Sequence, residues 1–211
     1  MNMHVPTRLL LCLHGACSLA SAADFVPKDH GLRYLGKEGR TPVVVEITLS
    51  ERLDGTFDYV QWTGPRSWGA WFNEPKTVRA RLRYTDEQLV VEDADTGKGA
   101  ATPPPGLPPG TLDALSVRLR ARGDIARGLT TAEYQVWNGA DRTERWTLEV
   151  TGAETVATPN GDYQALKFRL GSESEWIDGW SAPLLTFHFV KIDTWRDGRK
   201  VSELSLDDKQ L

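Results

Sequence analysis

The sequence predicts a mainly β fold: an antiparallel barrel or sandwich of about ten to twelve strands, with one short amphipathic helix packed on the sheet. Three observations predict it. Apolar and polar residues alternate in short, closely spaced runs. Tight-turn dipeptides fall between the runs, at Asp54-Gly55, Asn138-Gly139 and Asp197-Gly198. A single stretch departs from this pattern: after the proline-rich Pro103–Gly110, Leu112, Leu115 and Leu119 recur at helical spacing.

Taken in order, the first 22 residues read as a leader. Arg8 supplies the positive start, Leu9–Leu13 opens an apolar run, and Ala20-Ser21-Ala22 is a small-x-small cleavage signature. The run is shorter than the ~20 apolar residues that a membrane-spanning helix needs. Its removal leaves residues 23–211 as one periplasmic domain of a Gram-negative bacterium. Cys12 and Cys17 are the two cysteines of the chain and leave with it. The mature chain is then expected to hold neither a disulfide nor a thiol nucleophile. A lipoprotein reading of Cys17 fails because the preceding His14-Gly15-Ala16 lacks the aliphatic residue that a lipobox would place first.

Pro42–Ser50 is the first firm strand, with Val43, Val45, Ile47 and Leu49 on one face. Thr56–Trp62 is its hairpin partner. Lys76–Tyr84 sets Val78, Ala80, Leu82 and Tyr84 against Arg79, Arg81 and Arg83, the latter reading as a solvated face. Gln88–Glu92 is a further strand and Asp93–Gly99 a plain loop. Proline has no ladder donor, so Pro103–Gly110 is an extended connector. Thr111 is the expected N-cap of the helix and Gly123 its expected stop. Strands resume at Thr131–Trp137, Glu144–Val150, Glu154–Thr158, Tyr163–Leu170, Leu185–Ile192 and Arg199–Leu206. Trp176–Pro183 reads as an irregular aromatic link.

Composition narrows the function. The chain has 211 residues, 40% of them apolar and 26% charged, enough for a core. The formal charge is −4, and −5 once Arg8 leaves with the leader. That acidity argues against a nucleic acid or an anionic membrane surface as main partner. No later run reaches transmembrane length. The mature histidines, His30 and His188, are too few for a metal site, and no cofactor motif appears, so neither metal nor cofactor is expected. His188 reads as a sheet-face residue.

Tryptophan stands above background, with eight copies. Its flat apolar face and single donor suit sugar rings or acyl chains. Trp62, Trp71, Trp176 and Trp180 are the candidate ligand-binding residues, pictured on a concave surface, whereas Trp146 reads as core. Three readings stay open: a non-enzymatic module that binds an envelope glycan or lipid-like ligand, a glycan-processing enzyme built on acids such as Glu175 and Asp178, or an assembly partner of another envelope protein. Catalytic residues and oligomeric state are not specified.

One resemblance rests on ordered motifs. Asp113, Leu115 and Ser116 open the helix. Gly152 and Glu154 precede a turn at Thr158, Pro159 and Gly161. Trp180 and Pro183 precede the last hairpin, which turns at Asp197-Gly198. In this order the chain resembles the exported bacterial domain-of-unknown-function family 3108, over about residues 30–208 and most closely over 111–206. Phe189 stands where that family places a proline before Val190-Lys191. The resemblance implies a periplasmic antiparallel β domain and brings no established activity, cofactor or catalytic residue.

Overall fold

The structure, a computed structural model, describes residues 28–66, 74–85, 88–95, 107–137 and 142–211. The expected leader, Trp68, Trp71, the Asn138-Gly139 turn and residues 103–106 of the proline-rich connector lie outside the described residues.

Eleven strands form one antiparallel sheet. They are β1 (His30–Glu38), β2 (Thr41–Glu51), β3 (Thr56–Pro65), β4 (Lys76–Thr85), β5 (Gln88–Asp95), β6 (Thr131–Trp137), β7 (Thr143–Thr158), β8 (Gly161–Gly171), β9 (Glu175–Ala182), β10 (His188–Arg196) and β11 (Arg199–Gln210). Helix α1 (Ala114–Ala126) lies between β5 and β6 in the chain. The spatial order is β5-β4-β3-β2-β1-β11-β10-β9-β8-β7-β6. The chain therefore starts mid-sheet, builds outward to one edge, crosses through α1, and builds back from the other edge until β11 pairs with β1. A barrel-like single sheet forms, rather than a two-sheet sandwich.

Laid flat, eleven strands would spread over ~50 Å at ~4.8 Å spacing. A 13-residue helix is only ~20 Å long. Yet α1 touches both edge strands, β5 and β6. The sheet must curl toward the helix, and α1 fills the gap between edges that do not pair. Leu112 adds a parallel bridge to Val136, its N–H donating to Gln135 O and its O accepting from Trp137 N–H.

The helix serves both halves. Leu115 and Leu119 pack with Leu49, Phe57, Tyr59, Ala80 and Leu82 of β2–β4. Val117, Ala121 and Ile125 pack with residues of β6–β9, including Trp146, Leu148, Phe168 and Ile177. That second stripe, at spacing four, is the fully buried one. Its start is fixed by Asp113, not Thr111. Asp113 accepts from Leu115 N at 2.7 Å, Ser116 N at 2.9 Å and Ser116 Oγ at 2.5 Å. Thr111 Oγ1 instead donates to Pro108 O. The helix runs past Gly123 to Ala126 and is capped at Arg127. Gly128 then takes the left-handed turn, at φ 83°.

Two segments differ from expectation. His30–Glu38 is a central strand, and Glu175–Ala182 is a strand between β8 and β10. Gly36 and Gly179 explain why neither shows clean alternation. A Cβ at Gly36 would lie 1.8 Å from Glu203 O, and one at Gly179 would lie 2.2 Å from the Phe168 ring. Each glycine is small because a neighbour occupies its side-chain space. Glu144–Val150 and Glu154–Thr158 fuse into the single long β7, which shifts register between Val150 and Gly152. The β7–β8 tip then reaches β11 across two intervening strands: Asn160 N–H donates to Leu206 O and Asn160 Nδ2 to Asp207 O.

Candidate functional site

Directly opposed residues in an antiparallel sheet share a face, and successive residues alternate. Ile177 packs with the α1 stripe, so Trp176, Asp178 and Trp180 take the other face of β9, where Trp180 belongs to a second core cluster with Tyr34, Val45, Val190 and Leu206. Trp62 is outer, since Gln61 lies opposite Ile47 and Val78. The described candidate tryptophans therefore do not converge on the helix-side concavity, and Trp62 lies five positions away from β9 in the sheet order.

Each of these tryptophans is already engaged. Trp62 lays its ring over Gly64, where a Cβ would come within 2.2 Å of it. Trp180 is 6% exposed. It donates from Nε1 to Glu154 Oε1 at 2.5 Å and lies between Lys167 and Lys191, 5.3 and 4.6 Å from its ring. Trp176 stacks on Trp195 at 5.8 Å and 8°. Arg169 covers Trp176 at 5.1 Å, and Lys200 covers Trp195 at 5.5 Å. This is a cation–aromatic–aromatic–cation ladder across β8 to β11. Trp195 has no precedent in the sequence reading, because its partner Trp176 lay in a segment not recognised as a strand. Trp146 is core, as expected.

The acids do not form a catalytic pair. Glu175 and Asp178 are three apart on β9 and so face opposite sides. Glu175 is bound by Arg196 and Asp178 by Arg169. A glycosidase needs two carboxyls about 5–9.5 Å apart in one pocket. The arginine row of β4 is likewise a solvated face: Arg81 lies opposite Asp58, Arg79 opposite Asp95, and Arg83 pairs with Glu92.

The group that stands apart lies on the helix side, where β1 and β10 begin. Arg122 follows Ala121 on α1 and is 7% exposed. Its Nε and Nη2 donate to Thr186 O at 3.3 and 3.1 Å, and Nη2 also donates to His188 Nε2 at 2.8 Å. His188 therefore accepts at Nε2, which makes it the neutral Nδ1–H tautomer. Its ring meets that of His30 edge-on, 4.1 Å between centroids. His30 Nδ1 donates to Lys28 O. Beneath them, Tyr34 Oη donates to Phe189 O.

Burial sets the charges of this cluster. It pulls the Arg122 guanidinium down to about 9, still protonated at neutral pH. It lowers His188 well below the ordinary imidazole range, with Arg122 and His30 adding repulsion. It lowers His30 to about 4 against the bond to Lys28 O. The result is one buried cation beside two neutral imidazoles. The cluster meets solvent through half-buried His30 and exposed Thr186.

The loop that receives Arg122 is strained. Thr186 and Phe187 are both left-handed, at φ 51° and 61°, each an unfavourable state for a residue with a Cβ. Ser181 Oγ donates to Phe187 O, and Arg122 holds Thr186 O. The sequence held one clue to Arg122: it directly follows a member of the Val117, Ala121, Ile125 stripe. Placing the helix end at Gly123 hid it.

Among the described residues no group of three or more His, Cys, Asp or Glu could hold a metal ion. No described helix is long and apolar enough to cross a membrane.

The model of one protein family, described as "Protein of unknown function (DUF3108)", matches residues 59–185. No curated protein matches the chain. Among solved structures, a β-barrel-like protein of the domain of unknown function DUF1849 from Brucella abortus is 13% identical, with a TM-score of 0.45, covering 86% of this chain and 97% of that one. The MucA/MucB complex of Pseudomonas aeruginosa contains a chain that is 12% identical, with a TM-score of 0.44, covering 90% of this chain and 54% of that one.

Proposed function

The chain belongs to the DUF3108 family, and from that premise we propose that it is a non-enzymatic periplasmic binding module for a lipid-like molecule of the cell envelope. In this reading the ligand's acidic head group, a carboxylate or phosphate, is received at Arg122. The observation that carries this is a guanidinium buried on the apolar helix side and reached from solvent past half-buried His30 and exposed Thr186.

Three features support it. A cation in a low-dielectric setting attracts an anion far more strongly than one in water. Neutral His30 and His188 add one N–H donor or acceptor each without adding competing negative charge. The surrounding helix side is apolar, with Ile192, Phe187 and Phe189 packed along it. Export by the expected leader at residues 1–22 places the module where such ligands are found. An envelope glycan fits less well, because the faces of Trp176 and Trp180 are covered by their own neighbours.

The test is calorimetric titration with a set of probes sharing one chain: dodecyl phosphate, laurate and dodecyl maltoside, each below its micelle concentration. The expected result is binding of the two anions over the maltoside, with Arg122→Met losing about 10–100-fold for the anions only, the range of one charged hydrogen bond. Equal binding of all three probes, or an unchanged preference in Arg122→Met, overturns the reading. Binding of envelope oligosaccharides that Trp176→Ala and Trp180→Ala abolish would favour the glycan alternative.

A further inference from the structure

We infer that the end of the sheet holding Arg122 docks on a lipid bilayer surface through Leu53 and Leu184. The inference deepens the proposed function and rests on it for the identity of the cargo.

These are the two most exposed large apolar side chains among the described residues, at 110% and 83%. Both sit on tight turns, not on strands. Leu53 lies between β2 and β3, in a turn closed by Gly55 N–H to Arg52 O, with Arg52 N–H to Thr56 O behind it. Leu184 lies in the 3-10 turn Pro183–Leu185, closed by Thr186 N–H to Pro183 O. Leu185, its neighbour, is buried, so the turn is anchored while Leu184 projects.

The two leucines flank the Arg122 cluster along a continuous path. From Leu53, Glu51 N–H donates to Asp29 Oδ1 at 2.6 Å. Asp29 precedes His30, which meets His188. His188 accepts from Arg122, and Arg122 donates to Thr186 O, the residue that closes the Leu184 turn. The proposed head-group site therefore lies between two projecting apolar tips.

A protein partner is recognised by a contiguous, shape-matched patch with a buried centre. Two single leucines on separate turns with charged groups between them form no such patch. They suit a soft apolar medium, into which isolated tips insert while adjacent charges stay at the head-group level. Charges of both signs, Lys28, Arg52, Asp29 and Asp54, occupy this end. Attachment is therefore expected to depend on the leucines and not on lipid charge.

Flotation with phosphatidylcholine vesicles tests this. The full mature chain is expected to float equally at low and high salt. Leu53→Glu combined with Leu184→Glu is expected to reduce the floating fraction about tenfold or more while still binding dodecyl phosphate in solution. No flotation of the unaltered chain, equal flotation of the double variant, or flotation lost at high salt overturns the docking. So does a dimer in sedimentation that the double variant dissolves, which assigns the leucines to a second copy. If the leucines govern flotation while dodecyl phosphate does not bind, docking stands and the cargo reading fails. Binding without flotation gives the reverse.

Discussion

The outer face of β8–β11 and the helix-side cluster around Arg122 are built on opposite plans. Outside, large aromatic rings sit among charges: Trp176 on Trp195, flanked by Arg169 and Lys200. Inside, charge sits among apolar groups: Arg122 against His188, with Phe187 and Phe189 nearby. On the outer plan the ring faces meet neighbours and both Arg169 and Lys200 also pair with aspartates, although the buried indole N–H groups of Trp176 and Trp195 find no hydrogen-bond partner among the described residues. The inner plan stores a desolvated cation and a strained loop. Residue types that commonly bind ligands are therefore an incomplete guide, because rings whose faces are covered have little left to offer. A cation in low dielectric interacts with an approaching anion more strongly than one in water.

The largest expected effect separates the two regions by stability. Phe168→Ala removes the ring that fills the space over Gly179, and it should lower unfolding free energy by about 3–5 kcal/mol. Trp176→Ala removes a half-exposed ladder ring and should cost only about 1 kcal/mol. Urea denaturation of both variants checks this, and equal losses would mean that the outer ladder is part of the core.

Next comes pH. His30 would take a proton near 6.5 when unfolded but near 4 when folded, and His188 shifts in the same direction. Between those values the unfolded chain binds more protons, so stability must fall as pH falls from 6.5 toward 4. His30 faces Arg122, Asp29 and His188; burial and the Arg122 charge lower it, while the bond to Lys28 O and the Asp29 charge oppose the shift. Its contribution is roughly 3–4 kcal/mol at ~1.4 kcal/mol per pH unit between those two values. His30→Gln should flatten part of that slope, measured by urea midpoints across the range. An unaltered slope would show that the cluster is hydrated.

A smaller effect tests what holds Arg122 in place. Asp113→Ala removes the cap from Leu115 N–H and Ser116 N–H and should cost about 1–2 kcal/mol. If α1 positions the cluster, the same variant should also weaken dodecyl phosphate binding, whereas Trp195→Ala should not.

Much of the fold was legible in the sequence because β2, β3, β4 and β8 alternate cleanly and the hairpins carry turn glycines. β1 and β9 were not, because Gly36 and Gly179 stand where an apolar residue would have completed the pattern. The helix was legible as an element through Leu115 and Leu119, but its more deeply buried stripe was not. Val117, Ala121 and Ile125 are interleaved with Arg118, Arg120 and Arg122, and the mixed pattern hides the second face. The candidate site was legible only in part. Its members come from α1, β1 and the start of β10, residues 30, 122 and 188, and only the curl of the sheet joins them. Spacing cannot reveal that meeting, and a lone histidine in a strand carries no sign of its partner. The tryptophans were legible as residues; which face each took depended on recognising β9 as a strand.

The central claim is that ligand chemistry belongs to the inner cation and not to the outer rings. Proton–nitrogen correlation spectra recorded during a dodecyl phosphate titration read both regions at once. The account predicts large shifts of the Arg122 side-chain N–H and the His188 ring, with the Trp176 and Trp195 indole N–H signals unmoved. Shifts confined to those indoles, with Arg122 and His188 unchanged, would contradict it.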